Sequence, residues 1–123
     1  MRQSILRTKS KAFALRIIKL YKYLKNELHE TVISKQILRS GTSIGACIAE
    51  AYFAESDGDF IHKLAISQKE SNETIYWLEL LYEGEFITDE KAFESIYGGA
   101  VEIQKLLTAS IKTVKRKINS DKK

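Results

Sequence analysis

The absence of proline is the feature that most constrains this chain, because proline is the residue that most strongly interrupts a helix. None of the 123 residues is proline, and only six are glycine. Four long stretches place apolar residues at alternating steps of three and four. No stretch shows the two-residue alternation of a strand. The pattern predicts four long helices and no sheet.

The first two stretches each have one apolar face. Helix 1 is predicted from about residue 8 to about residue 27, with apolar positions at Phe13, Ile17, Leu20, Leu24 and Leu28. The face of helix 2 is predicted to contain Ile33, Ile37, Gly41, Ile44, Ile48 and Ala51. Gly41, Gly45 and Ala49 are spaced by four residues, and small side chains allow another helix to approach closely. We favour close packing or a kink over a phosphate-binding loop, because no Gly-Lys-Ser/Thr follows and no strand precedes.

The last two stretches have recognisable ends. Ser56 is predicted to cap helix 3, with Asp59 at its third position, and Gly84 is predicted to end it. The predicted face of helix 3 contains Phe60, Leu64, Ser67, Ser71, Ile75, Leu78 and Tyr82. Helix 4 is predicted to begin at Thr88-Asp89-Glu90. Its face contains Phe93, Ile96, Ala100, Ile103, Leu107, Ser110, Val114 and Ile118.

Short links between four such helices force neighbours to run antiparallel. The sequence therefore predicts an all-α protein, an antiparallel up-down-up-down four-helix bundle formed by one domain of residues 1–123. A basic, flexible C-terminal tail is expected from about residue 119. No stretch approaches the ~18 uninterrupted apolar residues of a membrane span, and the N-terminus lacks the apolar segment of a secretory signal. Cys47 is the only cysteine, which fits a reducing compartment. We expect a cytoplasmic protein with no membrane partner.

The net charge of +4 conceals a strong asymmetry along the chain. Residues 1–25 carry eight basic side chains and no acidic one. Residues 26–104 have a net charge of −10, and residues 105–123 have a net charge of +6. In the predicted bundle the start of helix 1 and the end of helix 4 lie at the same end. The candidate nucleic-acid-binding residues are therefore the cations of these two segments: Arg2, Arg7, Lys9, Lys11, Lys112, Lys115, Arg116 and Lys117.

Motifs for chemistry are weak in this sequence. A bundle can hold a metal pair with two Glu-x-x-His motifs, but Asp59-Phe60-Ile61-His62 is the nearest approach and has no counterpart. No nucleophile elbow of the Gly-x-Ser-x-Gly type occurs. We therefore predict a protein that is not an enzyme and has no catalytic residue, no metal and no cofactor. A carboxylate-based enzyme using Glu50, Glu70 and Glu73 is the alternative from another class.

Trp77 lies one residue away from the predicted face of helix 3. Two interpretations of it stay open. It is either an aromatic at the boundary of the core or an anchor of a subunit interface, where Trp and Tyr dominate.

Three segments together resemble a known bacterial family. They read Gln36-x-x-Arg39-Ser40-x-Thr42-Ser43-Ile44-Gly45-Ala46-x-x-x-Glu50-Ala51, then Asp59-Phe60-x-x-Lys63-Leu64, then Lys69-Glu70-x-x-Glu73-x-x-x-Trp77-Leu78. The chain is similar over nearly its whole length to the four-helix bundle proteins encoded by intervening sequences of 23S rRNA genes. One departure is Cys47, where the family more often has Asn. More distantly, it is similar to the accessory proteins of diversity-generating retroelements.

The resemblance implies a homopentameric bundle without known catalysis. The more distant resemblance, to the retroelement accessory proteins, implies binding of nucleic acid and of a reverse transcriptase. It also suggests Arg39 as the partner of Glu50, Glu70 and Glu73. If these carboxylates face the bundle interior, replacing Arg39 with Met is expected to cost several kcal/mol. We assign Arg39, Gly41, Gly45, Glu50, Glu70, Glu73 and Trp77 a structural or interface role.

Two functions follow from these observations. The first is a non-catalytic homo-oligomer that binds RNA or DNA, or acts as a scaffold, through its basic end. The alternative is a protein-interaction or accessory subunit whose basic ends only provide solubility. Salt-dependent binding to RNA distinguishes the two.

Overall fold

Four α-helices form the fold in the computed structural model, which describes the backbone of residues 2–121 and the side chains of residues 5–121. α1 spans Arg2–Asn26, α2 spans Ile33–Ala51, α3 spans Asp57–Glu83 and α4 spans Glu90–Asp121. Residues 2–121 contain no strand. Each helix packs against its sequence neighbours, and α1 also packs against α4, which closes the bundle. The predicted all-α antiparallel four-helix bundle is confirmed.

α1 begins earlier than the sequence pattern indicated, at Arg2 and not near residue 8. Leu6 and Ser10 are both buried and extend the apolar face toward the N-terminus. The pattern failed there because Ser10 is polar and interrupts the apolar spacing. At the other end, Leu28 lies beyond the helix and is partly exposed, so its predicted place on the face is wrong.

The core agrees with the predicted faces of α2 and α4 but not fully with that of α3. On α3, Thr74 and Leu81 are buried, whereas Ile75 and Tyr82 are only half-buried. The Thr74 hydroxyl lies 2.9 Å from the Ser40 hydroxyl of α2, so its polar group has a partner inside the core. A satisfied hydroxyl is tolerated in an interior, which explains why Thr74 was left off the predicted face; Leu64, Ser67, Ser71 and Leu78 are buried as predicted.

Small hydroxyl side chains are a general property of this interior. Among the described residues, seven are buried: Ser10, Ser34, Ser40, Ser67, Ser71, Thr74 and Ser110. Ser67 donates a hydrogen bond of 2.8 Å from α3 to the carbonyl of Ile44 on α2. Within residues 5–121, every buried side-chain nitrogen or oxygen has a hydrogen-bond partner. The interior of the bundle is therefore mostly apolar, and hydrogen bonds from buried hydroxyls connect α2 and α3 within it.

The helix ends are fixed by side chains that the sequence identified only in part. Ser56 caps α3 as predicted, accepting a hydrogen bond from the Asp59 amide at 3.0 Å. At α4 the cap is Asp89, whose carboxylate accepts the amides of Lys91 and Ala92. The start of α2 was not predicted to have a cap. There the Glu30 carboxylate accepts the amides of residues 32, 33 and 34 at 3.2, 3.0 and 2.7 Å.

The C-terminal end of α3 has an unusual residue in its turn. Gly84 follows the last helical residue, as predicted, but its φ is −82°. The left-handed position is one residue later, at Glu85, whose φ is 66°. The amide of Phe86 reaches the carbonyl of Leu81 at 2.8 Å, which completes a Schellman turn. A glutamate therefore occupies the position that usually favours glycine.

α4 continues as a helix to Asp121, so the tail expected from about residue 119 is helical up to that residue. Gly98 and Gly99 lie inside this helix without interrupting it. Among the described residues, no helix is both long enough and apolar enough to cross a lipid bilayer.

Candidate nucleic-acid interface

The start of α1 and the end of α4 lie at the same end of the bundle. α1 and α4 run antiparallel, and the Lys9 ammonium of α1 is 3.1 Å from the Glu102 carboxylate of α4. The Lys117 ammonium, near the end of α4, is 3.6 Å from the Asp57 carboxylate at the start of α3. The two basic segments of the sequence therefore belong to one region, which we call the basic end.

Three of the predicted cations have partners within the chain. Lys9 and Lys117 form the ion pairs with Glu102 and Asp57. The Arg7 guanidinium lies 5.1 Å from the centre of the Tyr52 ring, within cation–π range. These three side chains therefore already make contacts within the chain, which stabilise the bundle.

Four further predicted cations are exposed, and no ion pair is formed by them within residues 5–121: Lys11, Lys112, Lys115 and Arg116. Arg2 belongs to α1, but its side chain lies outside the described residues. Lys112 and Arg116 are four residues apart on α4, and Lys105 lies seven residues before Lys112. This spacing gives α4 an outer basic stripe.

The basic end also contains acidic side chains that the sequence segments did not place there. Glu55 lies between α2 and α3, and Asp57 and Asp59 lie in the first turn of α3. Asp57 pairs with Lys117, and the Asp59 carboxylate accepts the Glu55 amide at 3.4 Å. The positive charge of this end is therefore concentrated on α1 and α4 and reduced beside α3.

A groove runs between α1 and α2 beside the basic end, with a volume of about 370 Å³. We call it the α1–α2 groove, and its lining is Arg7, Ser10, Lys11, Ala14, Thr42, Gly45, Ala46 and Ala49. Two cations and no acidic residue line it. The α2 residues that line it are glycine, alanine and threonine, whose small side chains leave this space open.

The glycines of α2 allow α1 to approach. A Cβ atom at Gly41 would lie 2.8 Å from Cγ1 of Ile17, which is too close for the two atoms. A Cβ atom at Gly45 would lie 3.4 Å from the carbonyl oxygen of Ser10. The close helix approach predicted for these small residues is thus made to α1 of the same chain. It gives no separate argument for association between chains.

Arg39 joins α2 to α3 through two carboxylates. Its guanidinium is 3.1 Å from the Glu70 carboxylate and also pairs with Glu73. Glu73 in addition accepts a hydrogen bond of 2.9 Å from the Trp77 indole. The bond from Arg39, and then that from Trp77, lower the pKa of Glu73. A carboxylate held in its charged form is a weak general base, so this cluster suits a structural role.

Glu50 does not belong to the Arg39 cluster, although the resemblance suggested Arg39 as its partner. Its side chain is 59% exposed, and its carboxylate lies 3.2 Å from the Lys63 ammonium. The three carboxylates considered for catalysis are therefore divided between two ion-paired groups.

Burial raises the pKa of the Cys47 thiol, which disfavours the reactive thiolate. Among the described residues, no group of three His, Cys, Asp or Glu could hold a metal ion.

Trp77 lies at the boundary of the core. It is half-buried, packs against the hydrophobic cluster and lies edge-on to Tyr76, with ring centres 5.1 Å apart. Tyr76 itself is 53% exposed. This position agrees with the interpretation of Trp77 as an aromatic at the boundary of the core. Its interpretation as an anchor of a subunit interface stays a prediction.

Two neighbouring aromatic residues of this region were missed by the sequence reasoning. Tyr52 carries the Arg7 guanidinium on its ring, and Phe53 is 83% exposed. Tyr52 packs partly against the core, whereas Phe53 does not, and the sequence signal was an aromatic pair directly after Ala51, the last buried residue of α2.

Comparisons with known proteins identify relatives of the whole fold. The family model described as 23S rRNA-intervening sequence protein matches residues 2–109. A Bacteroides thetaiotaomicron protein with a crystal structure at 1.70 Å resolution is 57% identical, with a TM-score of 0.88. The match covers 91% of this chain and 99% of that one, which is described as a protein of unknown function from the S23 ribosomal protein family. Among curated proteins, none matches this chain.

Proposed function

Given that this chain belongs to the family of 23S rRNA-intervening sequence proteins, we propose that it is a non-catalytic, self-assembling protein that binds nucleic acid through its basic end. The carrying observation is the group of exposed cations on α1 and α4, Lys11, Lys112, Lys115 and Arg116, which no carboxylate of residues 5–121 neutralises.

The position of the cations on both helices supports a binding role. The helix dipole acts within the first and last turns of a helix. α1 begins at Arg2, so Lys11 lies beyond its first turn, and the last turn of α4 contains no basic residue. The dipole therefore explains neither Lys11 nor the cations of α4, and we infer that they serve to attract a polyanion.

The chemistry of this end fits phosphate groups better than base edges. Lysine and arginine side chains on an exposed helix neutralise phosphates and release their counterions, so affinity falls as salt rises. Phosphate contacts carry no sequence information. We expect RNA and DNA to bind with a steep salt dependence and little sequence preference.

A matched pair of variants tests the basic end. The first replaces Lys112, Lys115 and Arg116 with Gln and leaves Lys117, which is paired with Asp57, in place. The control makes the same charge change at the opposite end, at Lys22, Lys35 and Lys91, which are also exposed. Fluorescence anisotropy with a labelled RNA and a labelled DNA gives affinity across a salt series.

The first variant is expected to bind at least about tenfold more weakly and to show a smaller salt slope, by about one unit for each lost phosphate contact. The control is expected to change affinity much less. Equal losses in both variants would mean that only net charge matters. Unmodified protein that binds neither RNA nor DNA at low salt would refute the proposal and favour the protein-interaction alternative.

Self-assembly is the second part of the proposal, with a homopentamer as the expected state from the family resemblance. Several basic ends brought together would produce a stronger field toward a polyanion than one end alone. Light scattering on the purified protein measures the mass. A value near the 14.1 kDa of one chain at micromolar concentration would contradict the assembly.

The distant resemblance to retroelement accessory proteins adds a reverse transcriptase as a predicted partner. The neighbouring genes provide the direct check, since a reverse transcriptase gene beside this one is the expected arrangement if that partnership is real. A position inside a 23S rRNA gene would instead agree with the family alone.

A further inference from the structure

Phe53 is an exposed aromatic on a fixed backbone. It follows the end of α2, and 83% of its surface is exposed, more than for the other exposed large hydrophobic residues of the described chain. Its amide donates to the Glu50 carbonyl at 3.0 Å, and the Ala54 amide donates to the Ala51 carbonyl at 3.1 Å. These bonds hold the turn in place, so the ring projects from an ordered backbone. Burying an aromatic ring of this size elsewhere would be strongly favourable.

The α1–α2 groove has room for such a ring. Its volume is about 370 Å³, and a cavity of about 150 Å³ already accommodates benzene. Ala14, Ala46 and Ala49 provide an apolar lining without bulky side chains. The groove therefore combines the volume for one flat ring with an apolar lining from three alanines and two cations at its side.

The charges around the ring and around the groove are opposite. Glu55, two residues after Phe53, is exposed and forms no ion pair within residues 5–121, whereas Glu50, three residues before Phe53, is paired with Lys63. Arg7 and Lys11 lie at the groove, which no acidic side chain lines. Complementary charges of this kind select a partner and fix its orientation.

We propose that Phe53 of one copy of this chain inserts into the α1–α2 groove of a second copy, with Glu55 facing Lys11. The inference rests on the self-assembly proposed above and specifies which surfaces make it. Phe53 adjoins the groove, since Arg7 lines the groove and lies over the neighbouring Tyr52; in the homopentamer proposed above, the contact passes from each copy to the next around the ring. Both patches lie near the basic end, because Arg7 and Tyr52 already contact each other there. Neighbouring copies would therefore present their basic ends on the same side.

Replacing Phe53 with Ala tests the contact directly, with Tyr23→Ala as the matched control. Tyr23 is also an aromatic residue and is 48% exposed, but it lies near the end of α1, at the opposite end of the bundle from the groove. In sedimentation equilibrium, Phe53→Ala is expected to weaken association at least about thirtyfold, as for the loss of an interface hot spot. Tyr23→Ala is expected to leave association within about threefold, and circular dichroism should show unchanged helix in both.

A charge exchange provides the second test and does not depend on the Phe53 variant. Lys11→Glu alone and Glu55→Lys alone are each expected to weaken association, because each places like charges at the contact. The chain with both changes restores opposite charges and is expected to recover association. A double variant as weak as the single ones would contradict the pairing of Lys11 with Glu55.

The outcomes separate the contact from the wider proposal. An unmodified chain that remains near 14.1 kDa would refute self-assembly itself, together with this contact. An unmodified chain that assembles, with Phe53→Ala assembling equally well, would refute only the insertion of Phe53. Nucleic-acid binding is measured on separate variants, so its result does not depend on this one.

Discussion

Replacing Arg39 with Met removes the cation that joins α2 to two carboxylates of α3. The Arg39 side chain is 51% exposed, while Glu70 and Glu73 are 16% and 31% exposed. Half-exposed ion pairs contribute about 0.2–1 kcal/mol each. Leaving the mostly buried Glu70 without its partner adds about 1 kcal/mol. We therefore expect the free energy of unfolding to fall by about 1–3 kcal/mol. The larger loss expected for a fully buried pair does not apply, because Arg39 remains in contact with solvent.

The pH dependence of this loss checks its origin. The pKa of Glu73 in the folded protein is lowered, first by Arg39 and then by Trp77. A lowered pKa stabilises the fold above the unfolded pKa, and that contribution is lost as the pH falls. The difference between the unmodified protein and Arg39→Met should therefore be largest near pH 7 and shrink as the pH falls below the ordinary glutamate value of 4.5.

Urea denaturation at neutral and acidic pH measures both effects, with Arg39→Lys as the control. Lysine keeps the charge but cannot hold two carboxylates in the same planar geometry, so an intermediate loss is expected. A loss above about 4 kcal/mol would indicate a buried charge network. A difference that stays constant with pH would show that packing of the arginine stem, and not its charge, stabilises the helix pair.

Four further substitutions test the backbone and helix ends by thermal or urea denaturation. Glu85→Gly should stabilise the protein by about 1 kcal/mol, because glycine adopts the left-handed conformation without a steric cost; an unchanged midpoint would contradict this. Gly41→Ala should destabilise the protein by about 1 kcal/mol, because the new Cβ atom is too close to Ile17. Gly98→Ala should stabilise it by about 0.5–1 kcal/mol, because the new Cβ atom has no neighbour within 4 Å and alanine favours a helix. Equal effects of the two substitutions would refute the packing argument. Glu30→Ala should cost about 1–2 kcal/mol by leaving three amides at the start of α2 without an acceptor, and a loss below about 0.3 kcal/mol would show that water replaces the carboxylate.

The bundle could be predicted from the sequence because its periodicity is local. Ile37, Ile44 and Ile48 are buried on one face of α2, as their spacing requires. The pattern failed at two buried polar side chains, Ser10 and Thr74, whose hydroxyls bond to the Arg7 carbonyl of the same helix and to Ser40 of α2. Positive charge at both chain ends predicted the location of the basic end.

The pairing of individual charges at that end could not be predicted in the same way. Whether Lys117 meets Asp57 depends on how far α4 extends along α3, and an apolar face does not specify this position along the axis. The exposed ring of Phe53 was missed for a related reason, because a short connection carries no periodicity. Sequence spacing thus identifies which face of a helix is inside, while the register between helices decides which surface groups remain available.

The polar links between α2 and α3 determine which parts of the molecule can move independently. Ser67 and Thr74 bond to α2 inside the core, while Lys63 pairs with Glu50 and Arg39 with two carboxylates at the surface. Sliding one helix past the other by one turn, about 5.4 Å, would break all of these contacts together. α1 and α4, in contrast, are joined by fewer contacts. Opening of the molecule should therefore begin between α1 and α4, with the α2–α3 hairpin protecting its amide protons longest against exchange with solvent.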